Sequence, residues 1–333
     1  MKTSAPINEK YYISLNFFRG FSGYGVAVAH FLFFFCQVQF FQTISIFFVE
    51  FFFVLSGFVL APQLFKVFNN NKLVYKFFAR RWIRTLPAYF FALILFSIIF
   101  KQFNLDVVKY FFLVQNFFFN FLNNDFFFIA WSLAIEEYFY LIFPIFLITI
   151  NSSFSKISII FIILFTFIKI LTLINLQQQD YEFFRMGTFI RLDSIAVGVL
   201  ARIYLNFFSK NKFFILFFSF LVIIYLFPNF KNLTKIELFL YIIFIQVFSV
   251  SFLILFINYE KNFNNKFLLK VGNTVSSQTY SIYLFHMIFI YFLIILDFNP
   301  VISFFLYLFL LHYFSLIFYN FFEKPLNKLR PKV

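Results

Sequence analysis

Apolar runs of about 20 residues, the length that crosses a bilayer as an α-helix, recur along this chain with short polar breaks between them. They predict about ten spans, near residues 15–38, 43–63, 86–101, 126–150, 156–176, 188–206, 212–228, 236–258, 275–297 and 300–322. Residues 102–125 interleave aromatics with Asn and Gln (KYFFLVQNFFFNFL), which suits an interfacial or re-entrant piece and not a span. Pro87 is expected to separate an interfacial helix from the third span, and the LSGF run at 55–58 to hold a glycine turn. The fold class is therefore all-α: one polytopic membrane bundle over residues 1–333, with no appended soluble domain and no internal repeat.

Composition agrees with this pattern. With 63% hydrophobic and 12% charged residues, the chain has too little polar surface to cover a soluble globule of 333 residues. Phe alone supplies 70 positions, where Leu or Val would serve lipid equally well, so this excess reads as a compositional bias of the source. The single Cys36 excludes a disulfide framework and a thiolate metal site. Residues 1–14 are polar and the first apolar run is too long for a signal core, so it is expected to stay as a span.

Charge orients the bundle. Most of the 27 basic residues fall in alternate loops: Lys2 and Lys10, the stretch from Lys66 to Arg84, Lys156, Arg202 to Lys212, Lys261 to Lys270, and Lys324 to Lys332. The opposite loops hold few, among them Lys101, Lys109, Arg185, Lys231 and Lys235. That asymmetry predicts an even number of spans with both termini cytoplasmic. It also explains the formal net charge of +14 as a basic face beside anionic lipid, without a nucleic-acid partner.

Ionisable residues inside apolar runs are costly and mark candidate sites. Arg19 and His30 are eleven residues apart in the first span, close to three helical turns, so they share a face about 16 Å apart. A lone His in an apolar helix is often only a packed, hydrogen-bonded residue; its alignment with Arg19 raises the functional reading. In KFFARRWIRTLPAY, Arg80, Arg81 and Arg84 lie three and four apart and can converge on one side of a helix, a suitable donor set for phosphate or a simple positive-inside anchor. Glu136 and Glu137 in WSLAIEEYFYLIFP are about 100° apart around the helix, so one is expected to be chemical and the other structural, with a salt bridge to Lys169 or Arg191 as the structural option. Depths counted along the spans bring His30, Glu136, Glu137, Arg191, Asp193 and His286 together as an outer polar pocket from four helices. His312 is assigned to packing. The three histidines lie on three helices with no ligand pair at short spacing, so no metal site is expected, and no GxGxxG loop is present.

Six stretches, SLNFFRGFSGYGVAVAHF, FFFVLSGFVL, FARRWIRTLPAY, WSLAIEEYFYLIFP, RLDSIAVGVLA and SSQTYSIYLFH, resemble in order and spacing those of the acyltransferase-3 family of integral-membrane O-acyltransferases. The resemblance covers about residues 12–325. It implies a ten-helix enzyme of the bacterial cytoplasmic membrane that moves an acyl group, commonly acetyl, from cytoplasmic acyl-CoA to a hydroxyl of a sugar outside, such as a surface polysaccharide or lipid-linked sugar. Acyl-CoA is then a donor substrate, and no bound cofactor is expected. The family's functional positions fall on Arg19, His30, Arg80, Arg81 and Arg84, and the Glu of its WSL motif falls on Glu137, less directly on Glu136. Two departures stand out: Asn16 replaces the usual acidic residue before the first-helix Arg-Gly, and Phe285 replaces the usual Trp before the late His. Some relatives carry a further extracytoplasmic domain, whereas this chain ends at Val333 and is expected to act directly or through a partner protein.

These readings combine into an expected mechanism. His30 is the general base toward the acceptor hydroxyl, Glu137 orients or charges the site, Arg19 steadies the thioester oxygen or the pantetheine arm, and the loop arginines receive the CoA phosphates. Glu136, Arg191, Asp193 and His286 contact the acceptor. A carrier or flippase for a lipid-linked sugar would also need buried polar groups on several helices, as would an anchoring partner of a polysaccharide synthase. The arginine cluster paired with a mid-membrane His separates the enzyme from both.

Overall fold

The computed structural model describes residues 10–118, 121–175, 181–226, 233–263 and 265–332. Every regular element among them is helical: α1 (Ser14–Cys36), α2 (Gln39–Asn69), α3 (Val74–Ile99), α4 (Leu105–Phe111), α5 (Ala130–Thr149), α6 (Phe154–Asn175), α7 (Tyr181–Met186), α8 (Leu192–Ile203), α9 (Leu205–Leu226), α10 (Lys235–Asn258), α11 (Lys266–Leu296), α12 (Pro300–Phe318) and α13 (Lys324–Lys328). Lys2, Lys231 and the predicted span ends at 176 and 228 lie outside the described residues.

Among the described residues, nine helices are long and apolar enough to cross a membrane: α1, α2, α3, α5, α6, α9, α10, α11 and α12. The expected sixth span is the departure, because α8 has only 12 residues. That is roughly 18 Å of helix against a hydrocarbon core of roughly 30 Å. The segment still runs the length of the bundle. At one end the Thr188 N–H donates to the Asn116 carbonyl at 3.0 Å, and at the other Arg202 Nη2 donates to the Lys10 carbonyl at 2.8 Å. Leu192, Asp193, Ser194, Ile195 and Ala196 are all fully enclosed by protein. A segment whose first turns are enclosed by protein needs neither full length nor an unbroken helix.

The first and last described residues lie at one end of the bundle, where Tyr11 and Arg330 line the same cavity. Arg202 reaches Lys10 there, and Arg80 Nη1 donates to the Pro331 carbonyl at 2.8 Å. Helix boundaries follow local chemistry. Thr234 and Glu237 form a capping box at the start of α10, Gln37 and Asp297 adopt left-handed φ values of 56° and 50° to end α1 and α11, and Asn299 caps the Val301 N–H where Pro300 opens α12.

Two local expectations are corrected. Pro87 breaks nothing: α3 is continuous from Val74 to Ile99, since a membrane helix forfeits only one backbone bond at a proline and is held by its neighbours. Gly57 is not a turn but the middle of α2. Its hydrogen meets α8, where a Cβ would lie 1.8 Å from the Ile195 carbonyl oxygen. Gly198 on α8 returns the contact, its Cβ falling 2.1 Å from the Val54 carbonyl oxygen. The two backbones touch because neither residue has a side chain. Residues 105–111 form only the short α4, as expected for a non-spanning piece.

The phenylalanines are found both in the packed interior and on the outer surface. Phe18 packs against Phe51, Phe252 and Phe256 with centroids 5.3, 6.1 and 5.2 Å away. Phe213, Phe214 and Phe217 on peripheral α9 are exposed.

Candidate active site

Two cavities lie toward opposite ends of the bundle and meet at Val49 and Tyr283, which line both. The first, about 340 Å³, lies at the end where Tyr11 and Arg330 stand. Arg19 of α1, Arg81 and Arg84 of α3 and Arg330 beyond α13 line it, against only two carboxylates, Glu136 and Glu323. Arg19 Nη1 donates to Ser276 Oγ at 3.2 Å. Arg81 donates to Gln63 and lies over the rings of Phe77 and Tyr140 at 5.7 and 6.0 Å. Among the described residues Arg84 makes no hydrogen bond or ion pair. Arg330, just outside the last span, has its pKa lowered to about 10 by burial and by the charges of Arg84, Arg80 and Arg19. It stays protonated at neutral pH, and an anion among these groups would relieve their repulsion.

Ser132, Glu136 and Tyr140 repeat at i, i+4 and i+8, so α5 presents them as one stripe to this cavity. Glu136 is fixed by two hydroxyls, Ser56 and Tyr140, each donating at 2.7 Å. At the end of α12 the backbone widens into a π-helical turn over Tyr319–Glu323, and both Tyr319 and Glu323 line the cavity. The Glu323 carboxylate accepts from Ser281.

The second cavity, about 270 Å³, is lined by His30, Gln42, Ser45, Asp125, Trp131 and Arg185 among others. Asp125, outside the spans, accepts from the Tyr110 hydroxyl. His30 Nδ1 lies 2.8 Å from His286 Nε2, and His286 Nδ1 lies 2.7 Å from the Tyr283 carbonyl oxygen. A carbonyl only accepts, so His286 carries its proton on Nδ1 and presents a lone pair at Nε2. In the neutral pair His30 must then donate from Nδ1. Its Nε2 is left as a lone pair, available as a base in the cavity that His30 lines.

The remaining expected site residues lie elsewhere. Arg191 and Asp193 line neither of these two cavities: Arg191 pairs with Glu50 of α2, and Asp193 with Lys169 of α6. Gln246 of α10 donates to Ser194 at 2.8 Å and to Asp193 at 3.2 Å. Two cations and two anions are thus buried together, and with Gln246 they join four helices as a neutral rivet, which accounts for Arg191 and Asp193 without an acceptor. The single outer pocket expected for six residues does not form. Lys169 and Arg191 are taken by Asp193 and Glu50, so neither is the partner of Glu136 or Glu137. Glu137 is buried and faces neither cavity, whereas its neighbour Glu136 does. His286 is fully buried and touches His30. Arg80 lies outside the lining and holds the C-terminal segment. His312, assigned to packing, also has a hydrogen bond, 2.6 Å from the Tyr24 hydroxyl.

Sequence reasoning passed over Glu50, Glu323, Ser132 and Tyr283. Glu50 carried a signal, as a lone carboxylate in the apolar run FFVEFFF. Ser132 carried another, four residues before Glu136. Glu323 and Tyr283 reach the cavities through the π turn and the packing of α11, which periodicity does not report.

In comparison with known proteins, residues 12–320 match the acyltransferase-3 family, described as an acyltransferase domain. Comparison with curated proteins and with solved structures returned no match.

Proposed function

The chain belongs to this acyltransferase family, and on that premise we propose that it moves an acyl group, acetyl in the simplest case, from acyl-CoA to a hydroxyl of a sugar presented on the opposite side of a bacterial cytoplasmic membrane. The observation that carries the reading is the pairing of the two cavities. A four-guanidinium chamber ends against the wall beyond which His30 offers an unprotonated Nε2.

In this reading the terminal end faces the cytoplasm, which the clustering of basic residues supports. Arg19, Arg81, Arg84 and Arg330 hold the CoA phosphates and direct the pantetheine arm toward Tyr283 and Val49. The acceptor enters the second cavity. His30 Nε2 removes the hydroxyl proton as that oxygen bonds to the thioester carbonyl carbon. The tetrahedral intermediate then breaks its C–S bond, and the proton on His30 passes to the departing sulfur, giving ester and free CoA thiol. His286 stabilises the transient imidazolium by accepting from Nδ1. Glu136, fixed between Ser56 and Tyr140, sets the charge and shape of the donor chamber and takes no proton.

The test is thiol release by purified protein in detergent with acetyl-CoA and a sugar acceptor. His30→Ala is expected to abolish acceptor-dependent release while CoA binding and thermal stability are retained. Parental release by His30→Ala would refute the reading.

A further inference from the structure

The wall between the two cavities contains a pair of hydroxyls to which the reaction above gives no role. Tyr283 of α11 lines both cavities, and Ser132 of α5 lines the donor chamber. Their side-chain oxygens are in direct contact. Both also reach one backbone acceptor, the Ile129 carbonyl, at 3.1 Å from Tyr283 Oη and 3.4 Å from Ser132 Oγ. The two hydroxyl protons have only each other's oxygen and one shared carbonyl to bond to, so both can turn toward a stronger, charged acceptor. A plain partition would not need them. In a chain with 70 phenylalanines, a Phe at 283 would fill the same volume without burying a polar atom.

Resting on the acyl-transfer reading, we propose that Tyr283 Oη and Ser132 Oγ form the oxyanion hole of this enzyme. A thioester carbonyl arriving from the arginine chamber meets the wall at these hydroxyls. The acceptor oxygen, deprotonated by His30, attacks the carbonyl carbon from the second cavity. As the C–O bond forms, the carbonyl π electrons move onto its oxygen, which accepts the two O–H groups. When the C–S bond breaks they return to the carbonyl, and the hydroxyls relax to Ile129. Charge develops where water is excluded, so oriented donors are worth more there than in solvent. Tyr283 joins the two halves of the site, because its backbone carbonyl fixes the His286 tautomer while its hydroxyl faces the wall.

The experiment measures kcat and KM for acetyl-CoA in Tyr283→Phe, Ser132→Ala, the double variant and His30→Ala, each with its Tm. Each single variant is expected to lower kcat by about 10²–10³-fold with KM for acetyl-CoA unchanged, and the double variant to lose less than the product of the two. Parental kcat in Tyr283→Phe or in Ser132→Ala overturns the proposal, as does a rise in KM with kcat intact, which would make the pair a binding or gating element. Should Tyr283→Phe fail to fold, Ser132→Ala decides by the same criteria. Inactive His30→Ala beside active wall variants would sink the oxyanion hole alone; active His30→Ala would sink the underlying reading with it.

Discussion

Replacing Gly57 by Ala tests whether the contact between α2 and α8 holds the bundle in register. The added Cβ would lie 1.8 Å from the Ile195 carbonyl oxygen and 2.9 Å from the Val199 nitrogen, both backbone atoms that no rotamer change can move aside. Real Cβ contacts essentially never fall below 3.0 Å, so the helices must part by at least about 1.2 Å, against cores that resist even a methylene of overpacking. A shift of that size carries the 2.8 Å Gln246–Ser194 bond out of hydrogen-bond range and pulls Arg191 from Glu50. Overpacking alone costs about 1–3 kcal/mol, and a broken buried ion pair about 3–5 kcal/mol. The assay is thermal unfolding in detergent. Gly198→Ala should behave alike, since its Cβ meets the Val54 carbonyl oxygen. Gly272→Ala is the control: its Cβ would strike only the ring of Phe17, a half-buried side chain that can swing away. If Gly57→Ala melts with the parent, or no lower than Gly272→Ala, the crossing does not constrain the fold as argued.

Three further outcomes follow from the geometry. His286→Phe removes the acceptor of the His30 Nδ1–H, a charge-assisted bond once His30 holds the acceptor proton, worth about 1.5–3 kcal/mol; kcat should fall roughly 10- to 150-fold with KM for acyl-CoA unchanged, and parental kcat would dismiss its positioning role. Glu136→Gln should lower donor turnover more than Glu137→Gln, because only Glu136 faces the donor chamber; the opposite order in the thiol-release assay would reverse that assignment. At Asp106, burial raises the carboxyl, but Lys109 and the Asn123 and Asn124 N–H groups outweigh it and hold the pKa below the ordinary value. Its stabilisation is thus present above the unfolded pKa of about 3.9 and is lost as pH falls through the lower folded value. Asp106→Asn should cost about 1.5–3 kcal/mol at pH 7 and little once the parental carboxyl is protonated; Tm differences that do not shrink on acidification would contradict this.

The spans were legible because a bilayer imposes a length on any helix that meets it. Segment 188–206 escaped that rule because residues 190–196 are enclosed, which apolar counting cannot distinguish from lipid exposure. Arg19 and His30 are related by a single periodicity on α1, which places them three turns apart and leaves them in different cavities. Pairings between helices were not readable: the depths of Arg191, Asp193 and Glu136 were similar along their own spans, yet Glu50, Lys169 and Gln246 claimed the first two. Choosing Glu136 over Glu137 was within reach, because Ser132 and Tyr140 mark its stripe at intervals of four.

A wall of Val49 and Tyr283 between two blind chambers has a consequence for the cell. An energised membrane stores a proton gradient, and an unbroken file of water through any protein embedded in it would discharge that store. Here Val49, the Tyr283 ring and its hydroxyl contact with Ser132 stand where the two linings meet, so a file of water would have to displace them. Under the proposed transfer, only a group carried on a tethered arm has to reach that barrier, and no continuous channel is required.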